Sequence, residues 1–199
     1  MLKRGFDVLM AVTGLVVLSP LLFAIALWVK LDSPGPVFFR QERVGRSGRR
    51  FLIHKFRTMR HMPVDAGPQI TVGADVRITR AGKHLRRAKL DELPQLIDVL
   101  AGAMSVVGPR PEVPRYVALY PPELRDKVLS VRPGITDCAS LTYRDESTLL
   151  AASADPEKTY AEVLLPAKLR LAAHYVDHAS LATDLRLIWL TIKAVVFNR

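Results

Sequence analysis

The chain has 199 residues, with 29 Lys and Arg against 19 Asp and Glu, a length that suits one domain able to bury a core. Its hydrophobic share of 49% and mean hydropathy of +0.15 sit near the upper end for a soluble protein. The net charge of +10 implies an anionic partner (nucleic acid, anionic lipid or a phosphorylated substrate), and the single Cys138 excludes an internal disulfide framework and fits a reducing compartment.

The first element is an apolar run without charge from Val8 to Val29. As a helix it measures about 33 Å, enough for a hydrocarbon core of about 30 Å. Three readings compete. In a signal peptide, Lys3 and Arg4 form the basic head and Ala24-Ile25-Ala26 the cleavage site, but no polar segment precedes that site. A spanning helix kinked at Pro20 is the second. The third is a re-entrant hairpin over residues 1–31, broken at Ser19-Pro20, where proline removes a donor facing the Val16 carbonyl and the serine hydroxyl can cover it. Both flanks are basic: Lys3 and Arg4 before the run, and Lys30, Arg40, Arg43, Arg46, Arg49 and Arg50 after it. Basic flanks prefer the cytoplasm, which favours the hairpin and puts residues 32–199 on that side.

Ser33-Pro34-Gly35-Pro36 is a turn signal. Val37–Arg40 and Phe51–Phe56, separated by Gly45-Arg46-Ser47-Gly48, predict a β-hairpin. Residues 62 to 75, with Pro63, Gly67, Pro68 and Gly73, predict a loop, and 76 to 89 a basic helix. Leu93, Leu96, Ile97 and Leu100 share one apolar helix face that Gly102 ends. Pro121-Pro122 opens a short helix bearing Leu124 and Val128, and residues 156 to 178 form a longer one. Leu181 to Val196 reads either as a helix in the headgroup plane anchored by Trp189 or as a core helix. The expected class is α+β, mainly α.

Three constellations carry chemistry. Lys89-Leu90-Asp91-Glu92-Leu93-Pro94-Gln95-Leu96 reads first as a helix start with Asp91 as N-cap. The same geometry suits a nucleophile, because aspartate can attack phosphorus, phosphate binds well at helix N-termini, and an adjacent carboxylate can hold Mg²⁺. Lys83, Arg86, Arg87 and Lys89 upstream would neutralise a diphosphate or simply face solvent. Gly108-Pro109-Arg110-Pro111 presents one guanidinium on a stiff turn. Lys55-Phe56-Arg57-Thr58-Met59-Arg60, as a strand, would put Lys55 and Arg57 on one face. His174 and His178 stand four apart without a third ligand, which argues against a metal role, and Cys138 reads as a small apolar residue.

These motifs resemble the bacterial sugar transferases that are monotopic polyprenol-phosphate phosphoglycosyl transferases. The likeness begins at Lys3-Arg4, Asp7 and Ser19-Pro20. It continues through Gly35-Pro36-Val37-Phe38-Phe39-Arg40-Gln41, Arg43-Val44-Gly45 and Lys55-Phe56-Arg57-Thr58-Met59. Asp91-Glu92-Leu93-Pro94-Gln95-Leu96, Met104 to Pro111 and Arg132-Pro133-Gly134-Ile135-Thr136 complete it in matching order.

The resemblance implies that Asp91 attacks the β-phosphorus of a UDP-sugar and releases UMP, and that Glu92, with Asp91, binds Mg²⁺. Polyprenol (undecaprenyl) phosphate would then displace the aspartate, as the first membrane step of an exopolysaccharide, O-antigen or glycoprotein pathway. Substrate contacts are implied for Lys55, Arg57, Thr58, Arg86, Arg87, Pro109, Arg110, Pro111 and Arg132. Inner-membrane lipid is an implied partner, with the catalytic part facing the cytoplasm, and nucleic acid is not. Larger relatives carry extra N-terminal membrane helices, so the likeness is to the minimal catalytic form. Many members have Asn where Asp98 stands, and Asp137-Cys138-Ala139-Ser140 departs from the commonest pattern, which bears on sugar choice. Two rivals make other predictions. A basic membrane-tethered binding protein would lose affinity steeply with salt and keep it in Asp91→Asn. A hydrolase would release sugar phosphate to water.

Overall fold

A computed structural model describes residues 2–60, 70, 72, 73 and 75–196. The loop expected at 62–75 therefore lies outside the described residues except at Ile70, Val72, Gly73 and Asp75.

The apolar run forms two helices, α1 (Leu2–Val17) and α2 (Ser19–Asp32), whose axes differ by 64° across Leu18. No single helix among the described residues is long and apolar enough to cross a membrane, whereas the bent pair together is. Pro20 lies in the first turn of α2, and Ser19 Oγ donates to the Val16 carbonyl at 2.8 Å. Around the bend Val16, Val17, Leu21 and Phe23 are exposed.

Both ends of the pair are fastened to the rest of the protein. Lys3 Nζ donates to the Val107 carbonyl at 3.1 Å and pairs with the buried Asp184. Arg4 donates to the Val99 and Leu100 carbonyls at 2.7 and 3.1 Å. Buried Asp7 accepts from Ser105 Oγ and the Val106 N–H. At the far end, Asp32 accepts from the Ala81 N–H at 3.0 Å.

Next comes an antiparallel hairpin of β1 (Phe38–Val44) and β2 (Arg50–Phe56), in register from Phe38↔Phe56 to Val44↔Arg50. Its first strand outruns the expected one because alternation continues through Arg43 to the buried Val44. The basic helix is shorter than expected: α3 (Arg80–Arg87) starts where Thr79 Oγ1 caps the Gly82 N–H at 3.0 Å. Lys89, in the left-handed region at φ 56°, then turns the chain into a 3₁₀ turn at Leu90–Glu92. Asp91 is thus not the N-cap: α4 (Gln95–Leu100) begins after Pro94.

The expected apolar face of α4 is divided: Leu96 packs against the cluster that holds Ala11 and Met104. Gln95, Asp98 and Val99 are buried, while Ile97 and Leu100 are exposed. The inward side also supplies a polar partner to β2. Asp98 accepts from the His54 N–H at 2.8 Å and from its ring Nδ1 at 2.6 Å. Gly102, at φ 84°, ends the helix as expected.

A second pairing escaped the sequence reading. β3 (Ser105–Val107) runs parallel to β4 (Gly134–Thr136). Beside it Gly108 and Gly134 approach so closely that a Cβ on Gly134 would lie 2.0 Å from the Gly108 nitrogen. Between these strands come α5 (Pro114–Val117) and α6 (Pro122–Val128); after them come α7 (Cys138–Thr142) and α8 (Glu146–Ala151). The long helix expected at 156–178 is three pieces: α9 (Pro156–Thr159), a π turn at Tyr160–Leu164, and α10 (Leu165–Asp177). Pro166 lacks the N–H that would close the α-helical bond to Glu162, and the chain widens there instead. One hydrophobic cluster gathers Val113, Tyr116, Val128, Tyr160 and Leu169, a second Ala11, Ile53, Met104 and Val107, and a third Ile25, Val29, Phe56 and Leu85. The last helix, α11 (Leu181–Val196), buries Asp184 and Leu187 and exposes Leu185, Trp189 and Ile192. It therefore combines a core face with an outward apolar one.

Candidate active site

Three segments distant in sequence meet at Glu92. Lys55, near the end of β2, places Nζ 2.7 Å from Glu92 Oε1. Arg110, on the turn after β3, grips the same carboxylate with both terminal nitrogens, Nη2 at 2.5 Å from Oε1 and Nη1 at 3.2 Å from Oε2. The turn is held from both sides, since the Pro109 carbonyl accepts from the Gly134 N–H at 2.9 Å and the Pro111 carbonyl from Arg43 Nη1 at 3.0 Å. Burial pushes the Glu92 carboxyl up, but Arg110 and Lys55, by charge and hydrogen bonds, hold it well below the usual carboxylate range. In return, the Glu92 charge raises Arg110 against the effect of burial. For Lys55 burial prevails and its ammonium is pushed down.

Asp91, next in the chain, is the opposite case. It is buried, its Oδ1 has no hydrogen-bond partner among the described residues, and neither oxygen forms an ion pair among them. Burial raises its carboxyl above the ordinary value, and the adjacent Glu92 charge adds to this. Lys55, Arg86 and Lys89 only partly offset them. One carboxylate is thus locked between two cations while its neighbour is open and poorly solvated. A free, desolvated carboxylate is suited to nucleophilic attack, and the flanking cations suit a phosphate at the same place.

Among the described residues no three His, Cys, Asp or Glu side chains gather as a metal cluster. Mg²⁺, however, usually takes only one or two carboxylates and completes its shell with water and substrate phosphates. The donor-free Asp91 Oδ1 and, on the next residue, a Glu92 Oε2 with a single 3.2 Å bond offer the carboxylate oxygens that requirement asks for. His174 and His178 stack at 4.3 Å, and His178 Nδ1 lies 2.9 Å from the His174 carbonyl.

The other expected contacts divide. Arg86 is half-buried and its charge acts on Asp91, whereas Arg87 is exposed. Arg57 is not brought to the acidic pair: the strand ends at Phe56, and its buried guanidinium donates to the carbonyls of Val29, Ser33 and Pro34 at 2.6–3.1 Å, closing the end of α2. Arg132 is at the far end of α4, where Nε donates to the Gly102 carbonyl at 2.8 Å. Thr58 is buried, and its carbonyl accepts from the Thr79 N–H.

The structure adds residues that spacing did not single out. Buried Glu112 accepts from Tyr160 Oη at 2.6 Å and lies 3.7 Å from both Arg43 and Lys168. Burial pushes its carboxyl up, but Lys168 and Arg43 hold it below the ordinary value. A crevice behind Arg110 is lined by Pro109, Glu112, Tyr120, Lys168 and Asp137. Asp137, first residue of the departing Asp137–Ser140 segment, caps α7 by accepting from the Ser140 N–H. The one available signal was Glu112 beside the Pro109-Arg110-Pro111 turn.

Residues 1–198 match the family described as bacterial sugar transferase. The chain is 38% identical over 98% of its length to the UDP-N-acetylgalactosamine-undecaprenyl-phosphate N-acetylgalactosaminephosphotransferase of Aeromonas hydrophila, covering 44% of that protein. It is 38% identical over 100% of its length to the UDP-glucose:undecaprenyl-phosphate glucose-1-phosphate transferase of Escherichia coli, covering 41% of it. The chain therefore spans less than half the length of these curated relatives. Exopolysaccharide production protein PSS of Rhizobium leguminosarum is 40% identical over 96% of this chain, which covers 93% of it. With a match that takes in the Asp91-Glu92 pair, both its cations and the bent helix pair, this chain belongs to the bacterial sugar transferase family.

Proposed function

We propose that the protein transfers a sugar 1-phosphate from a UDP-sugar to undecaprenyl phosphate at the membrane, as the first lipid-linked step of a surface glycan such as an exopolysaccharide. The observation that carries this reading is the contrast at the acidic pair: Asp91 open and desolvated, Glu92 clamped by Lys55 and Arg110. The relatives named for undecaprenyl-phosphate sugar transfer support the substrate class.

An Asp91 carboxylate oxygen attacks the β-phosphorus. The bond from that phosphorus to the bridging oxygen breaks, and UMP leaves with that oxygen. An acyl phosphate on Asp91 now carries the sugar. A phosphate oxygen of the polyprenyl phosphate attacks the same phosphorus, the bond to Asp91 breaks, and the carboxylate is restored. Lys55, Arg86 and Arg110 surround the phosphates with positive charge that needs no reorganisation. Asp91 and Glu92 would hold Mg²⁺, which when bound neutralises charge on the phosphates.

The bent helix pair is a re-entrant hairpin in this reading. A straight span would separate its ends by about the bilayer thickness, whereas Lys3, Arg4 and Asp32 are all bonded to the part of the chain that follows. The sugar-binding region includes the crevice behind Arg110, where Asp137 stands.

UMP release from a panel of UDP-sugars, with Mg²⁺ and undecaprenyl phosphate, tests the proposal in wild type and Asp91→Asn. The expected result is UMP from wild type alone, with sugar phosphate trapped on the protein when acceptor is omitted. Equal release by both proteins would remove Asp91 from the chemistry. Labelling of a cysteine at position 3 from outside intact cells would refute the hairpin.

A further inference from the structure

The Arg110 turn ends at Glu112, a buried carboxylate that the proposed chemistry does not use. Its backbone and its side chain both fasten the turn. The Glu112 carbonyl accepts from the Val44 N–H at 2.9 Å. Its Oε2 lies 3.7 Å from Arg43 Nη1, the same nitrogen that donates to the Pro111 carbonyl at 3.0 Å. Arg43 Nη2 is taken by Gln41 Oε1 at 2.7 Å, and its buried Nε has no partner among the described residues. The Glu112 charge is therefore what keeps the Arg43 head against Pro111.

The other oxygen of Glu112 is braced from the far side. Oε1 accepts from Tyr160 Oη at 2.6 Å and lies 3.7 Å from Lys168 Nζ. Lys168 also donates to Glu146 Oε2 at 2.9 Å. Tyr160 and Lys168 are eight residues apart, and in an unbroken α-helix they would sit about 80° out of line. The π turn at Tyr160–Leu164 takes up about one extra residue and removes that offset. Lys168 Nζ accordingly lies 3.4 Å from Tyr160 Oη and 4.9 Å from its ring centre. The widened turn thus brings both side chains to one carboxylate.

We infer that Glu112 is a positioning residue for Arg110: braced by Tyr160 and Lys168, it holds Arg43 on the Pro111 carbonyl and so fixes the turn that delivers the Arg110 fork to Glu92. The inference rests on the proposed transfer and adds what keeps the Arg110 side of that site in place. Glu112 itself touches neither Glu92 nor Asp91 through any hydrogen bond or ion pair among the described residues, so it acts through the turn.

Glu112→Gln is a poor first test, because it strands two buried cations and can fail to fold. Tyr160→Phe keeps the Glu112 charge and the ring contact with Tyr116, whose centroid lies 4.7 Å away, and removes only the brace. In the full chain without substrate, phenylglyoxal modification is followed arginine by arginine by mass spectrometry. Losing a hydrogen bond to a buried carboxylate should raise the Arg110 rate roughly tenfold and leave Arg57, buried at the end of α2, unchanged. Single-turnover UMP release per active site should fall by a similar factor. An unchanged Arg110 rate would overturn the inference. So would a rise at Arg110 and Arg57 together, which would mean general loosening, or an undiminished first step despite a freed Arg110. If Arg110 alone is freed while wild type releases no UMP from any UDP-sugar, the positioning stands and the proposed reaction fails.

Discussion

Two adjacent carboxylates of opposite circumstance should respond to isosteric neutralisation with opposite signs. In Asp91→Asn a buried, unpartnered carboxylate becomes a neutral amide of the same shape. Relief of a buried unsatisfied charged group amounts to about 2 kcal/mol, or roughly 6 °C in Tm for a chain of this size. In Glu92→Gln the clamp of Lys55 and Arg110 loses its anion and leaves two uncompensated cations. Removing one partner of such a buried pair costs about 3–5 kcal/mol.

The pH dependence follows from the two shifts. Asp91 is raised, so its penalty on the folded state is absent below the ordinary carboxyl value of 3.8, grows as pH rises past it, and is complete above the native value. The gain in Asp91→Asn should therefore vanish in acid and grow as pH rises toward neutral. Glu92 is lowered, so its contribution is present above its ordinary value of 4.5 and is lost as pH falls through the native one. The cost of Glu92→Gln should begin to shrink only below 4.5 and continue to lower pH than the Asp91→Asn gain does. The assay is thermal unfolding in one detergent with chelator, from neutral pH to about pH 3. A destabilised Asp91→Asn, or a neutral Glu92→Gln, would refute the assignment of an open and a clamped carboxylate.

Other outcomes follow from the same contacts. Mg²⁺ at a hundred times its dissociation constant should stabilise wild type by about 2.7 kcal/mol, and Asp91→Asn far less; equal stabilisation in the melting assay would move the ion elsewhere. Gly134→Ala forces a Cβ to 2.0 Å from the Gly108 nitrogen, so it should cost about 1–3 kcal/mol or more and, by shifting the Arg110 turn, slow UMP release. Arg57→Ala removes donors to three carbonyls at the end of α2 and should cost about 3 kcal/mol, while the first-step rate per folded molecule, read from active-site titration, should stay near that of wild type.

Several parts of the site were legible because they are local. The Asp91-Glu92 pair, Arg110 between two prolines, and Lys55 at a strand end announce themselves within a few residues. The roles of Arg57 and Arg132 were not legible, because a guanidinium's partners depend on which helix end folds next to it. Arg57 bonds residues 23 to 28 positions back, and Arg132 bonds Gly102, 30 positions away. That Ile97 and Leu100 of the α4 face are exposed was not legible for a related reason. Periodicity locates an apolar stripe but does not say whether protein or another apolar phase covers it.

The sequence alone determined the family, the broken apolar run, the β-hairpin and the candidate acidic pair. Each rests on short-range rules: a proline without an N–H, a period of two, a motif read in order. The tertiary structure decided which carboxylate is bound and which is free. Chain neighbours Asp91 and Glu92 differ because Lys55 and Arg110, 37 and 18 positions from Glu92, both reach it. The parallel pairing of β3 with β4, the second network at Glu112 and the anchoring of both ends of the helix pair depend likewise on contacts closed only when distant segments fold together.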